Sequence, residues 1–77
     1  MHYTYYIKLQ RIQELKIALK ETDYIDNKRL DAISKYIITG DRTELEALNE
    51  EYKEEIAQRQ AWRDEINALE EQLNVEL

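Results

Sequence analysis

TELEALNEEYKEEIAQRQAWRDEINALEEQLNVEL, residues 43–77, holds no glycine and no proline, and its reading decides the fold. It begins with Thr43-x-x-Glu46, a spacing in which the threonine hydroxyl bonds the Glu46 amide and the glutamate reaches back to the Thr43 amide. Leu45, Leu48, Tyr52, Ile56, Trp62, Ile66, Leu69 and Leu73 then recur at steps of mostly three or four, which keeps one stripe on one side of a helix. At 1.5 Å per residue this predicts a single helix of roughly 50 Å. A helix so long cannot bury its whole stripe against the rest of a 77-residue chain. It needs a partner.

Composition points the same way. A chain of this size is one domain, residues 1–77, and buries only about 60–65% of its unfolded surface, so the isolated monomer is marginal. There is no cysteine to staple it or to bind a metal. Proline is absent and Gly40 is the only glycine, which predicts an all-α chain with short connections. No apolar run approaches the roughly 18 residues a membrane span needs. The N-terminus, with Lys8 and Arg11 among polar residues, does not read as a secretory signal, and the cytoplasm is the expected compartment.

The charge is uneven. Residues 43–77 carry eleven acidic against three basic residues, a net of −8, whereas residues 1–42 carry eight basic against six acidic, a net of +2. Such a division is expected if the two halves pack on each other. It speaks against nucleic-acid binding, which needs a basic surface. It also admits another reading, an acidic helix that imitates a phosphate backbone and blocks a basic groove.

Three helices are expected, near 5–21, 24–38 and 43–75. In the first, Tyr5, Leu9, Ile12, Leu15 and Leu19 share a face, with Ile7 and Ile17 widening it. Tyr3, Tyr5, Ile7 and Leu9 also alternate as a strand would, but a lone strand has nothing to pair with, so helix is preferred. Thr22 or Asp23 caps the second helix, whose Ile25, Leu30, Ile33 and Ile37 point inward. Gly40 ends it in a left-handed cap. The simplest architecture is a hairpin of the first two helices packed on the first half of one long C-terminal helix. Its uncovered half, from Trp62 on, then drives a coiled-coil-like oligomer.

Chemistry has little to work with. His2 is the only histidine and sits at the terminus, so no metal site and no cofactor are expected. Ser34 is the only serine and no base is marked beside it, which leaves nucleophilic catalysis without a candidate. One glycine cannot build a phosphate-binding loop. The adjacent pairs Glu50-Glu51 and Glu54-Glu55 read as a solvated acidic face. The aromatic residues are more informative, because tyrosine and tryptophan are amphipathic anchors of protein interfaces. Tyr3, Tyr5 and Tyr6 crowd the N-terminus, and Trp62 lies between Arg59 and Arg63, a like-charged i,i+4 pair that calls for acidic partners. The candidate interface is therefore Tyr3, Tyr5, Tyr6, Arg59, Trp62, Arg63, Ile66, Leu69 and Leu73.

The succession Leu19-x-x-Thr22-Asp23-Tyr24, then Lys28, Gly40 and Glu51-Tyr52, then the run from Arg59 through Trp62-Arg63 and Ile66 to Glu70, resembles a segment of small bacteriophage and prophage proteins encoded near tail, baseplate and tail-fibre genes. These include tail-fibre assembly chaperones, in which TDY or TDW followed by RxxWRxx(I/L)xxL recurs. The resemblance covers roughly residues 15–73. It implies that Thr22, Asp23 and Tyr24 form the turn after the first helix and that Trp62 and Arg63 pack the long helix back on it. It further implies a non-enzymatic tail or tail-fibre assembly factor, or minor tail component, of an infected or lysogenic bacterium, acting by helix–helix contacts with a tail protein or with its own copies, and either cytoplasmic or virion-associated. The chain lacks the proline-rich linker frequent in the chaperones and adds a tyrosine-rich start. The alternative function is a small acidic inhibitor, anti-CRISPR-like, of a host defence or nucleic-acid enzyme.

Overall fold

A computed structural model of the chain describes the backbone of residues 2–76 and the side chains of residues 3–75. Among these residues there are four helices and no strand: α1 (His2–Glu21), α2 (Asp23–Thr39), α3 (Thr43–Glu51) and α4 (Lys53–Glu76). The tyrosine-rich start is helical. Helices α1 and α2 run end to end as one rod, α3 and α4 as a second, and the two rods lie antiparallel. The molecule measures 54 × 19 × 15 Å, two helices wide for its whole length.

The expectation of three helices is corrected at Tyr52. Its backbone, at φ −105° and ψ 22°, leaves the helical range for a single residue, although the Tyr52 amide still donates to Leu48 O (2.9 Å) and the Ile56 amide to Tyr52 O (2.8 Å). Neither Gly nor Pro marks this break. It coincides with a tertiary contact: the Tyr52 ring meets Tyr24 of α2 edge to face at 6.3 Å, and its hydroxyl accepts a hydrogen bond from Lys28 Nζ at 3.0 Å.

The hairpin of the first two helices is also corrected. The joint at Thr22 is one residue, φ −107° and ψ 9°, and hydrogen bonds from the Thr22 amide to Leu19 O (3.2 Å) and from the Ile25 amide to Thr22 O (3.1 Å) bridge it. A joint so short bends a rod but does not reverse it. The reversal comes at residues 40–42. Gly40 takes φ +74°, the left-handed region in which a side chain is strained, and donates its amide to Tyr36 O at 2.8 Å. Asp41 Oδ1 then accepts the Thr43 amide at 3.0 Å. Thr43 is thus the first residue of α3 and not its cap; the residue before the helix, Arg42, makes no side-chain cap bond.

Along the outer half of the rods α1 packs on α4. Ile12, Leu15, Ile66 and Leu73 are buried there, with Tyr5, Leu9, Leu19, Trp62 and Leu69 against them. The stripe of α4 that was expected to lie open is therefore covered inside one chain, because α1 reaches back along it in place of folding onto α2. Toward the turn α2 packs on α3, and the buried residues of α2 are Ile25 and Ala32. Leu30 and Ile37, read as inward, are 59% and 74% exposed. Arg29, Ile33 and Tyr36 are half-buried beside Ile25 and Ala32, so the inward face is turned about one residue from the purely apolar one.

Ion pairs between the mildly basic rod and the acidic one flank these seams: Lys35 with Glu44 (3.6 Å), Arg11 with Glu65 (2.6 Å) and Lys16 with Glu70 (3.8 Å). Each is half exposed and contributes little by itself. Two carboxylates nevertheless make stability respond to acid. The hydrogen bond from Arg11, reinforced by its charge, holds the Glu65 carboxyl below its usual range, and the Thr43 amide does the same for Asp41. Both groups bind protons more readily in the unfolded chain. Their contribution is therefore complete above the ordinary carboxylate range and is lost as pH falls through the depressed folded values. The thermal midpoint is expected to drop on acidification through that range, and Glu65→Gln to flatten the drop. An acid slope identical in the variant removes Glu65 from its cause.

Candidate functional site

The most structured polar cluster lies where α4 crosses the joint between α1 and α2. Arg59 is 2% exposed. Its Nη1 donates to Leu19 O at 2.7 Å and to the Thr22 hydroxyl, and its Nη2 to Asp23 Oδ1 at 3.0 Å and Asp26 Oδ2 at 2.6 Å. Arg63, one turn on, donates to the same Asp26 oxygen at 3.1 Å. Arg59 Nε is buried and has no hydrogen-bond partner among the described residues. The Thr22 hydroxyl turns back to Ala18 O (2.9 Å) and Leu19 O (3.2 Å), so it closes α1 and does not cap α2. A guanidinium here meets the negative end of α1 and two carboxylates in the first turn of α2.

This cluster explains how two arginines tolerate i,i+4 spacing. Asp26, which the sequence reading did not single out, accepts from both and is the acidic partner they call for. The signal for it was present in Asp23-x-x-Asp26, two acids in the first turn of a helix. Trp62, between the arginines in sequence, turns instead to the apolar seam with α1. Both terminal nitrogens of Arg59 are taken up by groups on α1, the joint and α2, so the cluster ties α4 across the joint.

The other candidate residues divide in two. Ile66 and Leu73 are buried and Leu69 packs against them, so all three serve the α1–α4 core. Tyr3 and Tyr6 are 77% and 65% exposed near the open end of the hairpin, where Ile7 and Val75 are exposed as well. Tyr5 is half-buried against the core and meets the Tyr6 ring edge to face at 5.8 Å. Among the candidates, only Tyr3 and Tyr6 present most of their apolar surface to solvent.

A shallow groove of about 480 Å³ runs between α1 and α4, lined by Tyr5, Leu9, Ile12, Lys16, Glu70 and Leu73 among others. Among the described residues no group of three or more His, Cys, Asp or Glu side chains is placed to hold a metal ion. No described helix is long and apolar enough to cross a membrane. The chain matches no family model, no curated protein and no solved structure.

Proposed function

We propose that the chain is a non-enzymatic protein-binding hairpin that presents its tyrosine-rich end to a partner, in the role of a phage tail or tail-fibre assembly factor or minor tail component. One observation carries the reading. The seam between the rods is filled by the chain's own residues, yet Tyr3 and Tyr6 stand outside it at the tip of a stiff rod. Tyrosine gives a large contact area with few rotatable bonds and a hydroxyl for the wet edge of an interface. The tail context rests on the sequence resemblance.

The acidic second rod supports a second reading, occupation of a basic groove on a host defence or nucleic-acid enzyme. Glu50, Glu51, Glu54 and Glu55 are all exposed around the α3–α4 break. Salt separates the two, since apolar contacts survive ionic strength that screens exposed charges. Titration calorimetry against the tail proteins encoded beside the gene is expected to show binding that varies little with salt. Tyr3→Ser combined with Tyr6→Ser should weaken it tenfold or more, about 1.4 kcal/mol, with helicity unchanged. Tail-protein binding indifferent to both tyrosines refutes the tyrosine end. Binding only to a basic enzyme, lost steeply with salt, establishes the second reading in its place.

A further inference from the structure

Helix α2 carries an exposed face with no charged residue on it, in a chain of which 36% is charged. Asn27, Leu30, Ser34 and Ile37 follow at steps of three and four, with Ile38 one turn beyond Ser34, and all five are exposed, Ile38 at 82%. The charges of α2 are drawn elsewhere. Lys28 goes to Tyr52, Arg29 to Asn49 and Lys35 to Glu44, while Asp23 and Asp26 hold Arg59. Asp31 borders the face, as do Lys35 and Asp23, whose charges are paired with Glu44 and Arg59.

Area says how large a cover is needed. The chain exposes 5935 Å², whereas a compact monomer of 9.3 kDa exposes about 5,000 Å². The excess matches the roughly 800 Å² per partner that a stable interface removes. Shape agrees: the radius of gyration is 16.7 Å, against about 11.5 Å for a globule of this length.

Charge says what the cover is. A chain of net −6 repels its copies, most of all along residues 43–77, which carry −8. Contact through α2 brings together the halves that carry +2 and keeps the acidic rods outermost. We propose that a second copy covers this face, the two α2 helices crossing antiparallel about Ser34 to form a four-helix dimer. Leu30 of one copy then lies level with Ile38 of the other, and the small Ser34 side chains let the helices approach at the centre. The tyrosine end lies about 40 Å away at 1.5 Å per residue and stays free in both copies.

Sedimentation equilibrium from micromolar to near-millimolar protein tests this. The mass should rise from 9.3 kDa toward twice that value, and more readily at high salt, which screens the repulsion between copies. Ile37→Glu and, separately, Leu30→Lys should hold it at the monomer with unchanged helicity, since both positions are exposed. Because the chain has no cysteine, Ser34→Cys reports geometry directly: oxidation should give a covalent dimer at least tenfold faster than Asn67→Cys on the exposed side of α4. A native chain that stays at 9.3 kDa throughout overturns the proposal. So does a dimer that survives both charged substitutions, which would place the contact on another face, and so does equal cross-linking of the two cysteine variants.

Discussion

Arg59→Ala is expected to lower the stability of the hairpin by about 3 kcal/mol, the upper end for hydrogen bonds made by a charged group. The substitution removes four hydrogen bonds at once and leaves a hole at the α1–α2 joint. It frees Leu19 O at the end of α1 and strips Asp23 and Asp26 of their buried counter-charge. Two features keep the loss below that of a fully enclosed ion pair. The carboxylates are 58% and 35% exposed and regain water, and Arg63 still holds Asp26. Arg59→Lys should recover little, because an ammonium cannot reach the α1 carbonyl and both carboxylates together as a planar fork does. Denaturant titration followed by circular dichroism measures both variants. A loss under about 1 kcal/mol for the alanine variant would mean that the joint is held by the Thr22 and Ile25 backbone bonds alone.

Leu15→Ala should cost about the same, roughly 3 kcal/mol, for a different reason. Leu15 is 2% exposed and sits in the small cluster with Ile12, Ile66 and Leu73. Two rods that touch along one seam have no second layer to collapse into the cavity. A 77-residue chain has only about 4–12 kcal/mol of total stability, so the loss should populate unfolded chain at modest temperature. Leu73, 7% exposed in the same cluster, should behave alike: Leu73→Ser is expected to loosen α1 from α4. Ile37→Ala, by contrast, should change the stability of the single chain by less than 0.5 kcal/mol, since its side chain is largely exposed. An undiminished midpoint for Leu15→Ala would show that the α1–α4 seam is not the core.

The all-helical class was legible in the sequence because local rules determine it. With no proline and one glycine, little in the chain breaks a helix outside the stretch around Gly40, and Gly40 fits the left-handed residue that the reversal requires. The division into a mildly basic and an acidic half likewise foretold that the halves pair, as Lys35–Glu44 and Arg11–Glu65 do.

What the tertiary structure alone decided is where the rods bend and which stripe faces in. Thr22-Asp23 carries the local signs of a turn, but turning a chain back takes more than one residue out of helical geometry. Once Arg59 binds both sides of the joint from α4, α1 and α2 stay in line. Tyr52 carries no local sign of a break at all; the break appears with Tyr24 and Lys28 gathered at its side chain from the other rod. On α2 two stripes one residue apart compete. Hydrophobicity favours Ile25, Leu30, Ile33 and Ile37, yet of these only Ile25 is buried and Ile33 half-buried, and the inward face takes in Ala32 and Arg29, which donates to Asn49. Periodicity fixes the spacing of a buried face, but its phase depends on contacts from the opposing helix, and those are set only when the hairpin closes.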